Sequence, residues 1–136
     1  DHLMHRAAMY RHARLQRTLV GVQLARRLAH VDRTEGLDQA AAERLMAARD
    51  ELESLVARDP SRIQWKQDLA EALTELGEVV TALGDYETAT AAFARSQQLW
   101  TELAETEPRV IAWQEALNHA KKRVSAAQTI QREASP

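Results

Sequence analysis

Two stretches of the chain coincide when one is laid 48 residues along the other, and no other property of the sequence constrains the fold as much. Gly36 falls on Gly84, Ala41 on Ala89, Leu55 on Leu103 and Pro60 on Pro108. In the same register Ile63 meets Ile111, Trp65 meets Trp113, Leu69 meets Leu117 and Ala72 meets Ala120. Asp59/Glu107, Leu45/Phe93 and Leu52/Trp100 keep charge or bulk. A fixed period without gaps means one supersecondary unit stacked on its own copy, each unit burying its apolar face against the next.

The units are helical. Gly (4) and Pro (3) are scarce, aromatic residues make up only 4%, and no window alternates apolar and polar residues long enough for a strand. The chain of 136 residues is one domain's worth. With no cysteine, disulfides, zinc–thiolate sites and thiol nucleophiles are excluded, which fits a reducing, cytoplasmic compartment. No apolar run reaches the ~18 residues of a membrane helix, and the Arg- and His-rich start has no signal-peptide core. A chain opening on Asp1 reads as a piece of a longer protein.

Punctuation marks five helices: about His2–Asp32, Asp38–Arg58, Ser61–Leu83, Asp85–Thr106 and Arg109–Arg132. Asp59-Pro60 and Glu107-Pro108 would place proline at a first helical position. Gly36 and Gly84 would close helices in the left-handed conformation, Gly84 with Asp85 as the next N-cap. The short loops that result force consecutive helices antiparallel. Trp65, Leu69, Ala72/Leu73, Leu76, Val79/Val80 and Leu83 form one apolar face. Ala89, Ala92/Phe93, Ser96, Leu99/Trp100 and Leu103 form another. Small residues at Gly77, Ala89 and Ser96 would let the backbones approach closely. The fold expected is all-α, a solenoid of antiparallel helix pairs.

The run Leu73-x2-Leu76-Gly77-x2-Val80-x3-Gly84-Asp85-Tyr86-x2-Ala89-x3-Phe93-x2-Ser96 resembles the tetratricopeptide repeat. A first repeat, about residues 12–59, matches through Ala25, Leu28, Ala29, Gly36, Ala41, Leu45 and Ala48, with Asp32 where the pattern wants an apolar residue. The second covers about 60–107. A capping helix at about 108–132 follows, in which Lys121 and Ser125 replace core residues and Lys121, Lys122 and Arg123 would supply a solvating cap. The period of 48 exceeds the family's usual 34, and the Asp59-Pro60-x4-Trp65 start is similar to long repeats of bacterial multidomain proteins. The resemblance implies a right-handed superhelix that acts as a scaffold for protein–protein interaction. Its concave groove would hold a protein or peptide segment, or another domain of the parent chain.

Carried over by position, the resemblance points Gln23, Arg26, His30 and Arg33 into the groove from the first repeat. Glu71, Thr74, Glu78 and Thr81 come from the second, and His119 and Lys122 from the last helix. The same residues also fit the solvated faces of amphipathic helices. Reversing charge at Arg26 and Glu78 together is the test that spacing alone suggests.

Other constellations point to no chemistry. His2 and His5 share a helix face without a carboxylate at metal-binding spacing beyond Asp1, and His12 lies further along, so no metal is expected. Trp65 and Trp113, at equivalent positions, read as core rather than a recognition pair. No nucleophile–base pair or glycine-rich phosphate loop appears, so neither an enzyme nor a cofactor is expected. Arg6, Arg11, Arg14 and Arg17 beside Tyr10 give a basic stretch, but the chain's net charge of −2 disfavours nucleic acid.

Charge is uneven along the chain. Residues 1–35 carry seven Arg against three acids, residues 36–107 six basic against fifteen acidic groups, and residues 108–136 five against two. The basic, overlong first helix suggests a fused rod able to mediate self-association, the alternative to groove binding.

Overall fold

The computed structural model describes residues 1–135, and the repeat is written in its backbone. Gly36 and Gly84, 48 residues apart, both take positive φ, 78° and 83°. Each closes a helix with the same pair of hydrogen bonds. Leu37 N–H reaches back to the Asp32 carbonyl (2.7 Å) and Gly36 N–H to Arg33 (3.1 Å); Asp85 N–H reaches Val80 (2.9 Å) and Gly84 N–H Thr81 (3.0 Å). These are Schellman closures, which need a left-handed residue that glycine supplies without a Cβ clash.

Five helices result among the described residues: α1 (His2–Thr34), α2 (Asp38–Arg58), α3 (Ile63–Ala82), α4 (Tyr86–Thr106) and α5 (Ile111–Ala134). The expected boundaries hold within two residues. Asp85 caps α4 as expected, its carboxylate accepting from Thr88 N–H at 3.2 Å. The prolines differ from expectation. Pro60 and Pro108 precede their helices instead of opening them, because Asp59-Pro60-Ser61-Arg62 and Glu107-Pro108-Arg109-Val110 are four-residue turns. Arg62 N–H bonds the Asp59 carbonyl and Val110 N–H the Glu107 carbonyl, each at 3.2 Å. Proline stands second in each, where its fixed φ suits the turn. The two N-caps that follow have nearly identical angles, φ −78° with ψ 96° at Arg62 and φ −78° with ψ 97° at Val110.

Each helix packs on the one before it and the one after: α1 on α2, α2 on α3, α3 on α4 and α4 on α5. The core runs through the stack. Leu45, Leu52, Leu69, Leu73, Leu76, Val79, Val80, Leu99 and Leu103 are its largest fully enclosed apolar side chains. Burying each such side chain stabilises by about 1.5–3 kcal/mol relative to leaving it in water. Trp65 and Trp113 are buried, as their matched positions predict, and so is Trp100. Leu83, assigned to the apolar face of the third helix, is instead exposed on the turn side of the Gly84 closure.

Two details explain the close packing of α3 and α4. A Cβ on Gly77 would stand 2.5–2.8 Å from three ring atoms of Phe93, so only glycine lets the ring seat there. The Ser96 hydroxyl, buried, donates to the Ala70 carbonyl of α3 at 2.9 Å and lies 3.0 Å from the Thr74 hydroxyl. Asp32, the polar residue in an apolar position of the repeat, is buried with its carboxylate held by Arg44 Nε at 2.8 Å.

Candidate functional site

Helices α1, α3 and α5 are joined by their side chains, and the joints repeat. Arg33 of α1 donates from Nη1 to Glu78 Oε2 of α3 at 3.1 Å, and Arg123 of α5 meets Glu78 Oε1 at 2.7 Å. One carboxylate thus clasps guanidinium groups from both flanking helices. One to two turns earlier, Arg26 Nη2 donates to Glu71 Oε2 at 3.2 Å, and Nε to Glu75 Oε1 at 3.2 Å. The bridged positions 26/71, 33/78 and 78/123 all lie 45 residues apart. That is the 48-residue repeat less one helical turn, so these residues reach the neighbour one turn before their own equivalent, while Arg26 also reaches Glu75, 49 residues on.

Two cavities open along this face, one on each side of the Arg26 bridge. The first, about 720 Å³, lies between α1 and α3 and is lined by Gln23, Arg27, His30, Arg33 and Asp68 together with the bridge. The second, about 590 Å³, lies between α3 and α5, lined by Thr74, Trp100, Ala116, His119, Ala120 and Arg123. Arg26, Glu71 and Glu75 belong to both. Three carboxylates surround one guanidinium, because Asp68, buried and held by Gln64 Nε2 at 3.0 Å, also lies 4.0 Å from Arg26 Nη1.

Burial works against the charge on Arg26. Hydrogen bonds and attraction from Glu75 and Glu71 outweigh it and raise the guanidinium's pKa, so it stays charged at any physiological pH. The opposite side of the stack has its own joint. Arg95 of α4 forks onto Glu53 of α2, Nε to Oε2 at 3.0 Å and Nη2 to Oε1 at 2.8 Å.

The ten positions carried over from the repeat resemblance divide into three groups. Arg26, Arg33, Glu71 and Glu78 are the ladder itself. Thr74 and Thr81 turn their hydroxyls to their own helix, onto the Ala70 and Gly77 carbonyls at 3.0 and 2.7 Å. Among the described residues, the exposed Gln23, His30, His119 and Lys122 make no side-chain hydrogen bond or ion pair and are free to meet a ligand. Arg26 and Glu78 belong to separate bridges, so reversing both would break two internal joints and confuse stability with binding.

Sequence reasoning missed Asp68, Glu75 and Arg123. The acids had a legible signal, since Asp68, Glu71, Glu75 and Glu78 recur at steps of three and four along one helix face. Arg123 was expected in a solvating cap; instead it bonds Glu78 and lies over the Phe93 ring, 5.8 Å from its centroid.

The histidines of the first helix stay apart from any such cluster, His2 Nε2 accepting from Arg6 Nη2 at 3.1 Å. No group of three or more His, Asp or Glu converges as metal ligands among the described residues, and none of their helices is long and apolar enough to cross a membrane. No family model matches the chain, and no curated protein sequence matches it either.

Proposed function

We propose that this protein is a binding scaffold of the tetratricopeptide type, a right-handed stack whose α1–α3–α5 face receives a segment of a partner protein. It acts by presenting a shaped surface and performs no chemistry of its own. The observation that carries this reading is the ladder: three helices joined by ion pairs at 45- and 49-residue offsets, with a cavity on each side of one charged bridge. Fixed charges joined to one another keep the face preorganised, which lowers the entropic cost of ordering it on binding.

The polar groups left over define what the partner must bring. Glu71 is 51% exposed although it touches Arg26, and it borders both cavities. His30 and Arg27 line the first cavity and His119 the second. A segment that places a cation beside Glu71 and hydrogen-bond acceptors beside His30 and His119 satisfies all of them.

The test uses exposed residues only. A chain carrying His30→Glu and His119→Glu, neither of which takes part in the ladder, is compared with the unaltered chain in affinity capture from the source organism's lysate, with circular dichroism melts on both. Loss of one captured protein at unchanged melting temperature supports the groove. Identical captures from both chains would overturn it.

A further inference from the structure

The two ends of the stack are finished differently. On the outer side of α5, the positions equivalent to Ala70, Leu73 and Gly77, which α3 buries, are Asn118, Lys121 and Ser125, all exposed. That end is closed in polar residues, as the end of a stack must be. The outer side of α1 is not. Leu24, Leu28 and Val31 are the equivalents of Ala72, Leu76 and Val79, which α3 buries completely, yet Leu24 is 53% and Val31 47% exposed. The difference has a structural cause: α3 is packed between α2 and α4, whereas among the described residues α1 packs closely on α2 and meets α3 through the ladder. The apolar stripe of α1 therefore sits where every later odd-numbered helix receives the helix before it.

The stripe extends beyond these three residues. Tyr10, Val20, Leu24 and Val31 are all about half exposed or more, along 21 residues or roughly 32 Å of helix. Its charge is one-sided. Between His2 and Val31 α1 carries six arginines and no Asp or Glu. A second copy of α1 laid antiparallel on this face with Arg17 against Arg17 would set Arg6 against Leu28, beside Arg27. Like charges at such spacing repel.

We infer that the outer face of α1 is a docking surface for an acidic amphipathic helix of about 20 residues from a partner protein, seated antiparallel to α1 as α2 is seated on α3. Its apolar stripe covers Val20, Leu24, Leu28 and Val31, and its carboxylates meet Arg17 and Arg27. The chain supplies its own pattern for such an occupant. Residues 85–107, the α4 segment with its caps, hold five acids against the single Arg95 and cover the basic helix α5. This surface borders the first cavity of the α1–α3–α5 groove at Arg27 and Val31, whereas Arg17, Val20 and Leu24 line neither groove cavity.

The probe is a fluorescein-labelled peptide with the sequence of residues 85–107, titrated with the whole chain and followed by anisotropy. A second peptide carries Glu102, Glu105 and Glu107 all changed to Lys. The chain is also prepared as Val20→Glu/Leu24→Glu, both exposed positions that line neither groove cavity, with its thermal melt checked against the parent. The expected result is saturable binding of the acidic peptide, at least tenfold weaker for the charge-inverted peptide and for the double variant, with an unchanged melt.

Equal affinity for parent and double variant would mean that the peptide seats elsewhere, for instance on α5, and would overturn the inference. So would absence of binding. Sedimentation velocity gives the remaining outcome: a concentration-dependent dimer abolished by Val20→Glu/Leu24→Glu would assign the face to a second copy and reject the partner helix.

Discussion

Replacing Gly77 by alanine should destabilise this protein, although alanine is the better helix former. The sign follows from geometry. The added methyl would lie 2.5 Å from Phe93 Cε1 and 2.6 Å from Cζ, where carbon atoms rest comfortably at about 3.5–4.0 Å. The ring cannot retreat freely. It is buried between α3 and the Arg123 guanidinium of α5, which is itself tied to Glu78. Overpacking of this kind costs about 1–3 kcal/mol, against a gain of about 1 kcal/mol from helix propensity, so the net loss is about 1 kcal/mol. For a chain of this size that is a fall in melting temperature of about 3–5 °C.

The first repeat shows how the conflict is solved. Where the second has Gly77 and Phe93, the first has Ala29 and Leu45, both fully buried. The double variant Gly77→Ala/Phe93→Leu should thus be more stable than Phe93→Leu alone. The coupling in a double-mutant cycle should be about 2 kcal/mol, read from urea unfolding of the four proteins. A Gly77→Ala variant more stable than the parent, or a coupling below about 0.5 kcal/mol, would refute the proposed glycine–ring contact.

Further expectations concern the joints and caps. Arg26→Met should lower stability by about 1–3 kcal/mol, because it leaves the buried Asp68 with only Gln64; urea unfolding measures it. Arg95→Met, which removes a half-exposed pair with Glu53, should cost no more than about 1 kcal/mol, an effect that added salt reduces. Hydrogen bonds from Thr88, its side chain first and then its backbone N–H, hold the Asp85 carboxyl below its ordinary 3.8. The depressed folded-state value means that this contribution is fully present above about pH 4 and lost as pH falls through the folded pKa. NMR titration should place the Asp85 midpoint below 3.8, and Asp85→Asn should flatten the acid limb of the stability curve.

Much of the architecture was legible because the repeat and its punctuation act locally. Gly36 and Gly84 end helices by backbone conformation alone, and Asp85 caps by reaching three residues ahead, so neither needs knowledge of the rest of the fold. The starts of α3 and α5 were misplaced by two residues because an acidic residue followed by proline serves a helix start and a preceding turn equally well. Only the Arg62 and Val110 hydrogen bonds decide between them. The site was legible as a face but not as a network. Position within the repeat brought Arg26, Arg33, Glu71 and Glu78 to one side. Which cation meets which carboxylate depends on the stagger of neighbouring helices, which sets partners 45 or 49 residues apart instead of 48. No local pattern encodes that stagger.

The account rests on the α1–α3–α5 face holding a protein segment, and site-specific photocrosslinking tests this most directly. A benzophenone amino acid is placed at His30, at His119 or, as a control on the α4 surface, at the exposed Ala94, and each chain is irradiated in lysate of the source organism. The same protein crosslinked at His30 and His119, through residues of one segment, and not at Ala94 is the predicted result. Crosslinks at Ala94 alone, or none at the two groove positions, would contradict the account.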